Sequence, residues 1–128
     1  MLYDDVKHFR FFYCDNGLFG ITLRSGFVFD SVKYNRAVSK TIIAGHLVQK
    51  YDNVKYWDSK SEADVDFILY DNSRMISVKY IEDSKKRIRS LQIFEEKYSG
   101  TQKTAVGNMN FNIMGDVRII PLYAVFCL

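Results

Sequence analysis

Asp64, Asp66 and Lys79 bring two carboxylates and an amine into one short stretch of this chain, a set able to hold a cation or stabilise a phosphate. Ala63-Asp64-Val65-Asp66-Phe67-Ile68-Leu69-Tyr70 alternates Asp64, Asp66, Ile68 and Tyr70 with Val65, Phe67 and Leu69. That period of two places successive side chains on opposite faces of a strand. Met75 to Tyr80 repeats the pattern, with Ile76, Val78 and Tyr80 on one face and Met75, Ser77 and Lys79 on the other. Asp71-Asn72-Ser73-Arg74 between them is made of turn formers, so the two segments read as a hairpin. A turn centred on Asn72-Ser73 sets Tyr70 opposite Met75, Ile68 opposite Ser77 and Asp66 opposite Lys79. Cross-strand neighbours have Cβ atoms about 5 Å apart, which brings a carboxylate onto an amine. The bland reading is a half-exposed ion pair, worth about 0 to 1 kcal/mol. The sharper one is that Asp64 and Asp66, two apart on one face, offer two carboxylates to a metal, with Glu62 or Asp71 in reserve. Asp64 is otherwise a solvated charge at a strand end.

The order Asp-x-Asp-Phe, turn, x-Val-Lys resembles the core hairpin of the restriction-endonuclease-like, PD-(D/E)XK superfamily. More narrowly, it is similar to the domain of unknown function at the C-terminus of many prokaryotic AAA-type ATPases. Members tend to carry Glu-Val-Asp-Phe and then Ile-Glu-Val-Lys; here Asp64-Val65-Asp66-Phe67 and Ile76-Ser77-Val78-Lys79 stand in those places. Phe12-Tyr13-Cys14-Asp15-Asn16-Gly17-Leu18, Tyr56-Trp57 and Pro121-Leu122-Tyr123 resemble three further pieces of the family in the same order. The resemblance runs from about Phe9 to the end of the chain.

It implies an α/β fold with a restriction-endonuclease-like core, a mixed β-sheet flanked by helices. It also implies a catalytic site in which the Asp of the first arm and an acid two residues before the Lys hold a divalent cation. The Lys would stabilise charge developing on the phosphate. Asp66 and Lys79 fall on two of those positions, but Ser77 replaces the acid, and a neutral hydroxyl adds no charge to a site for a hard cation. Lys40 and His46 fall where members commonly carry Glu on the preceding helix. The resemblance therefore points to a degenerate, non-catalytic accessory domain that makes nucleic-acid or protein contacts. Asp66 and Lys79 are then vestiges of the catalytic set. The alternatives are an active Mg²⁺-dependent nuclease using Asp64, Asp66 and Lys79, with Asp64 and Asp66 as metal ligands, and a pure oligomerisation or docking domain with Phe27-Val28-Phe29 and Asn108 to Met114 as its adhesive surfaces.

Val32 to Tyr51 reads as a long helix with Ser31 as cap. Val38, Ile42, Ile43, Leu47, Val48 and Tyr51 spread around it, which predicts burial on more than one side. Val54 to Trp57 is a short strand leading through a charged loop to the hairpin. Ser84 caps a helix from Lys85 to Tyr98 with Ile88, Leu91, Phe94 or Glu95, and Tyr98 inward. Lys85, Lys86 and Arg87 crowd its first turn, the end where the helix dipole disfavours cations. A nucleic-acid phosphate there would explain them, as would neutralisation by Glu82 and Asp83. Lys103 to Val106 is a strand, and Val117 to Phe126 reads as the last, with Pro121 at a bulge or an edge.

Length and composition bound the rest. The 128 residues suit one domain. The formal net charge of +3 permits nucleic-acid binding without arguing for it. Cys14 and Cys127 sit far apart without clustered His, so neither a zinc site nor a disulfide framework is expected, and both read as small buried apolar residues. No run of about 18 apolar residues occurs and the start is acidic, which leads to the expectation of a cytoplasmic protein without membrane contact. No Gly-x-x-x-x-Gly-Lys-Ser/Thr occurs, so no cofactor is expected in this domain itself, beyond Mg²⁺ if it is active. On the resemblance, ATP would belong to an ATPase portion N-terminal to this chain.

Overall fold

The computed structural model describes residues 10–13, 31–60, 62–82 and 88–128. Helix α1 (Ser31–Lys50) is followed by β1 (Lys55–Asp58), β2 (Asp64–Asp71) and β3 (Arg74–Ile81). Then come α2 (Ile88–Lys97), β4 (Gln102–Gly107), β5 (Asn112–Met114), β6 (Val117–Pro121) and a 3₁₀ segment, Leu122–Cys127. The strands form one six-stranded mixed sheet in the order β1-β2-β3-β4-β6-β5. β1, β2 and β3 are an antiparallel meander; β4 runs parallel to β3 and β6 parallel to β4, and β5 turns back along β6. The parallel step from β3 to β4 is spanned by α2, the usual crossover for a parallel pair. The result is α/β, a mixed sheet flanked by helices, as the sequence indicates at that level.

Each face of the sheet carries its own core. On one, Ile43, Ala44 and Leu47 of α1 pack with Phe67, Leu69, Ile76, Val78, Tyr80, Val106 and Ile120, joined by Ala124 and Val125 of the 3₁₀ segment. On the other, Ile88, Leu91 and Phe94 of α2 pack with Trp57, Val65, Ile68, Ile81, Ala105, Val117 and Ile119. The three-to-four spacing in α2 therefore finds its partners. Helix α1 departs from expectation: Ile42 is 37% and Val48 62% exposed, so it buries a single face and not several.

The hairpin forms as its residues require. Asn72 and Ser73 both take left-handed backbone angles, φ 45° and 70°, the pattern of a tight two-residue turn whose twist matches that of the strands. Tyr70 pairs with Met75 and Ile68 with Ser77. The final apolar run is not one strand: β6 stops at Pro121, which has no N–H to continue the ladder, and the chain passes into the 3₁₀ segment. The Leu128 carbonyl then accepts hydrogen bonds from Lys50 and from Tyr51 Oη, the latter at 2.9 Å. Cys127 is exposed, contrary to the expectation of a buried thiol. Cys14 to Leu18, Phe27-Val28-Phe29, Ser84, Lys85, Lys86 and Arg87 lie outside the described residues, as does the side chain of Ser31. Among the described residues no helix is long and apolar enough to cross a membrane.

Candidate functional site

The start of β2 does not keep the regular alternation that its sequence suggests. Lys55 faces Ile68, but Trp57 faces Val65, so β2 advances three residues where β1 advances two. Val65 and Ile68 accordingly share the α2 face although they are three positions apart, a spacing that regular alternation puts on opposite faces. This is a β-bulge, which inserts one residue and re-aims a side chain. Asp66 lies inside it.

The β2–β3 register runs from Asp71 and Arg74 to Phe67 and Val78, one step short of Asp66 and Lys79. The two do not form the expected ion pair, because the bulge re-aims the carboxylate. Asp66 Oδ2 accepts the backbone N–H of Tyr80 at 2.9 Å, a side chain standing where a ladder carbonyl would be. Its Oδ1 takes Lys40 Nζ from α1 at 2.5 Å and Arg10 Nη1 at 3.3 Å. Only 1% of the Asp66 side chain is exposed, and a carboxylate so buried is tolerable only when paired and hydrogen-bonded.

Lys79 pairs instead with Asp64. Its Nζ donates to the Asp64 backbone carbonyl at 2.6 Å and to Oδ1 at 2.8 Å. Alternation along β3 puts Lys79 on the side of Ile81, which packs with α2, whereas the Asp66 partner Lys40 comes from α1. Arg10 joins the two halves: Nη2 lies 3.9 Å from Asp64 Oδ2, and its guanidinium stacks 4.4 Å above the Tyr56 ring. The outcome is a chain of alternating charge, Lys79, Asp64, Arg10, Asp66, Lys40. Burial pushes the Asp64 carboxyl up, but the Lys79 hydrogen bond and the charges of Lys79, Lys40 and Arg10 outweigh it and hold the group below its ordinary value.

Ser77, in the position of the family's second acid, is fully buried, and its hydroxyl reaches only the Gln102 carbonyl at 3.5 Å. That is at the outer limit of a hydrogen bond. Asp71 sits at the turn end of β2, paired in register with Arg74 and remote from Asp66. Glu62 is exposed, and its backbone N–H is held by Ser59 Oγ. His46 on α1 is partly exposed. Among the described residues no group of three or more His, Cys, Asp or Glu is placed to hold a metal ion.

Two cations shape this site beyond what the spacing of the hairpin suggests. Lys40 was visible as a basic residue where the resemblance expects Glu, and it is the closest charged partner of Asp66. Arg10 was visible only as a lone guanidinium in the aromatic run around Phe11 and Phe12, a context that fits its stacking on Tyr56. A second buried cation, Lys103, pairs with Glu95 of α2 and with Asp116. The Asp116 and Glu95 contacts raise the Lys103 pKa against the opposing effect of burial.

Compared with known proteins, the chain matches no family model, no curated protein and no solved structure.

Proposed function

We propose that this chain is a non-catalytic accessory domain of an AAA-type ATPase, built on a restriction-endonuclease-like core whose cleavage centre has become a closed ion-pair chain. Support for the fold is the order of elements: a long helix, an antiparallel three-strand meander, a helix, and a strand parallel to the third. Support for the loss of activity is one observation above the others, the Lys40 ammonium at 2.5 Å from Asp66 Oδ1. A lysine where the family commonly carries Glu puts a tethered cation on the acid that a metal would need.

Charge arithmetic carries the point. Asp64 and Asp66 supply two negative charges, and Arg10, Lys40 and Lys79 supply three positive ones. A divalent cation about 4 Å from one ammonium is repelled by about 8 kcal/mol at an effective dielectric constant of 20, twice the unit-charge figure. Each neighbouring cation thus cancels the attraction of one carboxylate. Ser77 offers nothing to offset this, since Mg²⁺ relies on carboxylates with waters and phosphate. The domain serves through contacts with nucleic acid or protein.

Incubating the protein with supercoiled plasmid and with single-stranded DNA, in Mg²⁺ or Mn²⁺, tests the reading. Intact DNA is expected. Metal-dependent cleavage that disappears in Asp66→Ala would establish the active nuclease instead.

A further inference from the structure

At the sheet edge opposite β1, the β5–β6 hairpin exposes apolar side chains beside the Arg118 guanidinium. Phe111 is 56% and Ile113 73% exposed. With Asn112, Arg118 and the buried Ile119 they line an open groove of about 330 Å³. Arg118 is exposed, and among the described residues its side chain has no hydrogen bond or ion pair. The Ile113 amide, which an edge strand would offer to an added strand, is capped by Asn112 Oδ1 at 2.8 Å. Backbone pairing is therefore discouraged at this edge and recognition falls to side chains.

We infer that this groove docks a short protein segment carrying a carboxylate next to an apolar side chain, with Arg118 taking the carboxylate and Phe111 and Ile113 the apolar group. The guanidinium is a planar fork matched to one carboxylate, and apolar anchors beside Arg are the composition of interface hot spots. A nucleic-acid backbone fits worse, because Asp116 presents an exposed carboxylate at the hairpin turn. The groove volume lies at the small end of ligand sites, enough for one or two side chains. The surface is separate from the ion-pair chain at β2 and β3, and stands whether or not the domain cleaves DNA.

The test is ¹H–¹⁵N NMR titration of the full chain with N-acetyl-Phe-Glu-amide and, in parallel, N-acetyl-Phe-Gln-amide, up to about 10 mM. Saturable shifts at Phe111, Ile113 and Arg118 are expected with the Glu peptide. Binding should be about ten-fold weaker with the Gln peptide and in Arg118→Gln, the loss of one charge-assisted contact. Arg118→Gln is expected to keep a dispersed spectrum, because the side chain is exposed and unpaired. Equal shifts from both peptides, shifts elsewhere, or none would overturn the proposal. So would larger shifts at these residues from an oligothymidine, or shifts that depend on protein concentration alone, which would show nucleic acid or a second copy to be the occupant.

Discussion

A carboxylate with 1% of its side chain exposed has to be held by its neighbours, and for Asp66 those are Tyr80 N–H, Lys40 and Arg10. Removing one partner of a buried pair leaves the other uncompensated. Lys40→Met should therefore lower stability by about 2 to 3 kcal/mol, less than a fully buried pair because Arg10 remains. Urea unfolding measures it, and adding Asp66→Asn should restore much of the loss; a Lys40→Met effect below about 0.5 kcal/mol would make Lys40 a surface charge. Ser77→Ala should change stability by less than about 1 kcal/mol, because its 3.5 Å contact contributes little to lose. Asp64 carries the pH dependence. Its folded-state carboxyl sits below the ordinary value of 3.8, so its stabilisation is complete above that value and is lost as the pH falls through the lower, folded one. The difference in urea midpoint between the wild type and Asp64→Asn should therefore shrink as pH drops below about 4, and an unchanged difference would contradict the Lys79 pairing.

At the scale of elements, β3 and β4 approach too closely for any side chain at Gly107. A Cβ there would lie 2.3 Å from the Ile81 carbonyl oxygen, backbone that cannot rotate away. Gly107→Ala should separate the ends of the two strands and lower stability by about 1 to 3 kcal/mol, read as a drop in the thermal midpoint. On the outer edge, Asn112→Val removes the cap on the Ile113 amide. Concentration-dependent self-association should follow, visible by sedimentation velocity. The sequence made these elements legible to different degrees. Alternation and the Asn72-Ser73 turn defined the β2–β3 hairpin and its register, because both are local. The bulge at Asp66 was not legible, because Asp66 fits the alternating pattern and only pairing with β1 and β3 reveals the extra residue. The β5–β6 hairpin escaped for a related reason: Asn112–Met114 is three residues long, too short to set a period. The run Val117 to Phe126 misled because an apolar run alone does not separate strand from 3₁₀ turn once Pro121 has ended the ladder.

For the molecule as a whole, the charged groups at the β2–β3 end form one paired set of three cations and two carboxylates drawn from residue 10, α1, β2 and β3. Composition could name every member, yet their meeting depends on tertiary placement, with Arg10 and Asp66 separated by 56 residues. That is why the sequence paired Asp66 with Lys79 while the fold gives Lys79 to Asp64 and Asp66 to Lys40. On the proposed reading, Arg10, Lys40 and Lys79 leave no room for a metal ion. Isothermal titration of Mn²⁺ into the full chain at low ionic strength tests it most directly. No saturable binding is the expected result; one-to-one binding that vanishes in Asp66→Asn would contradict it.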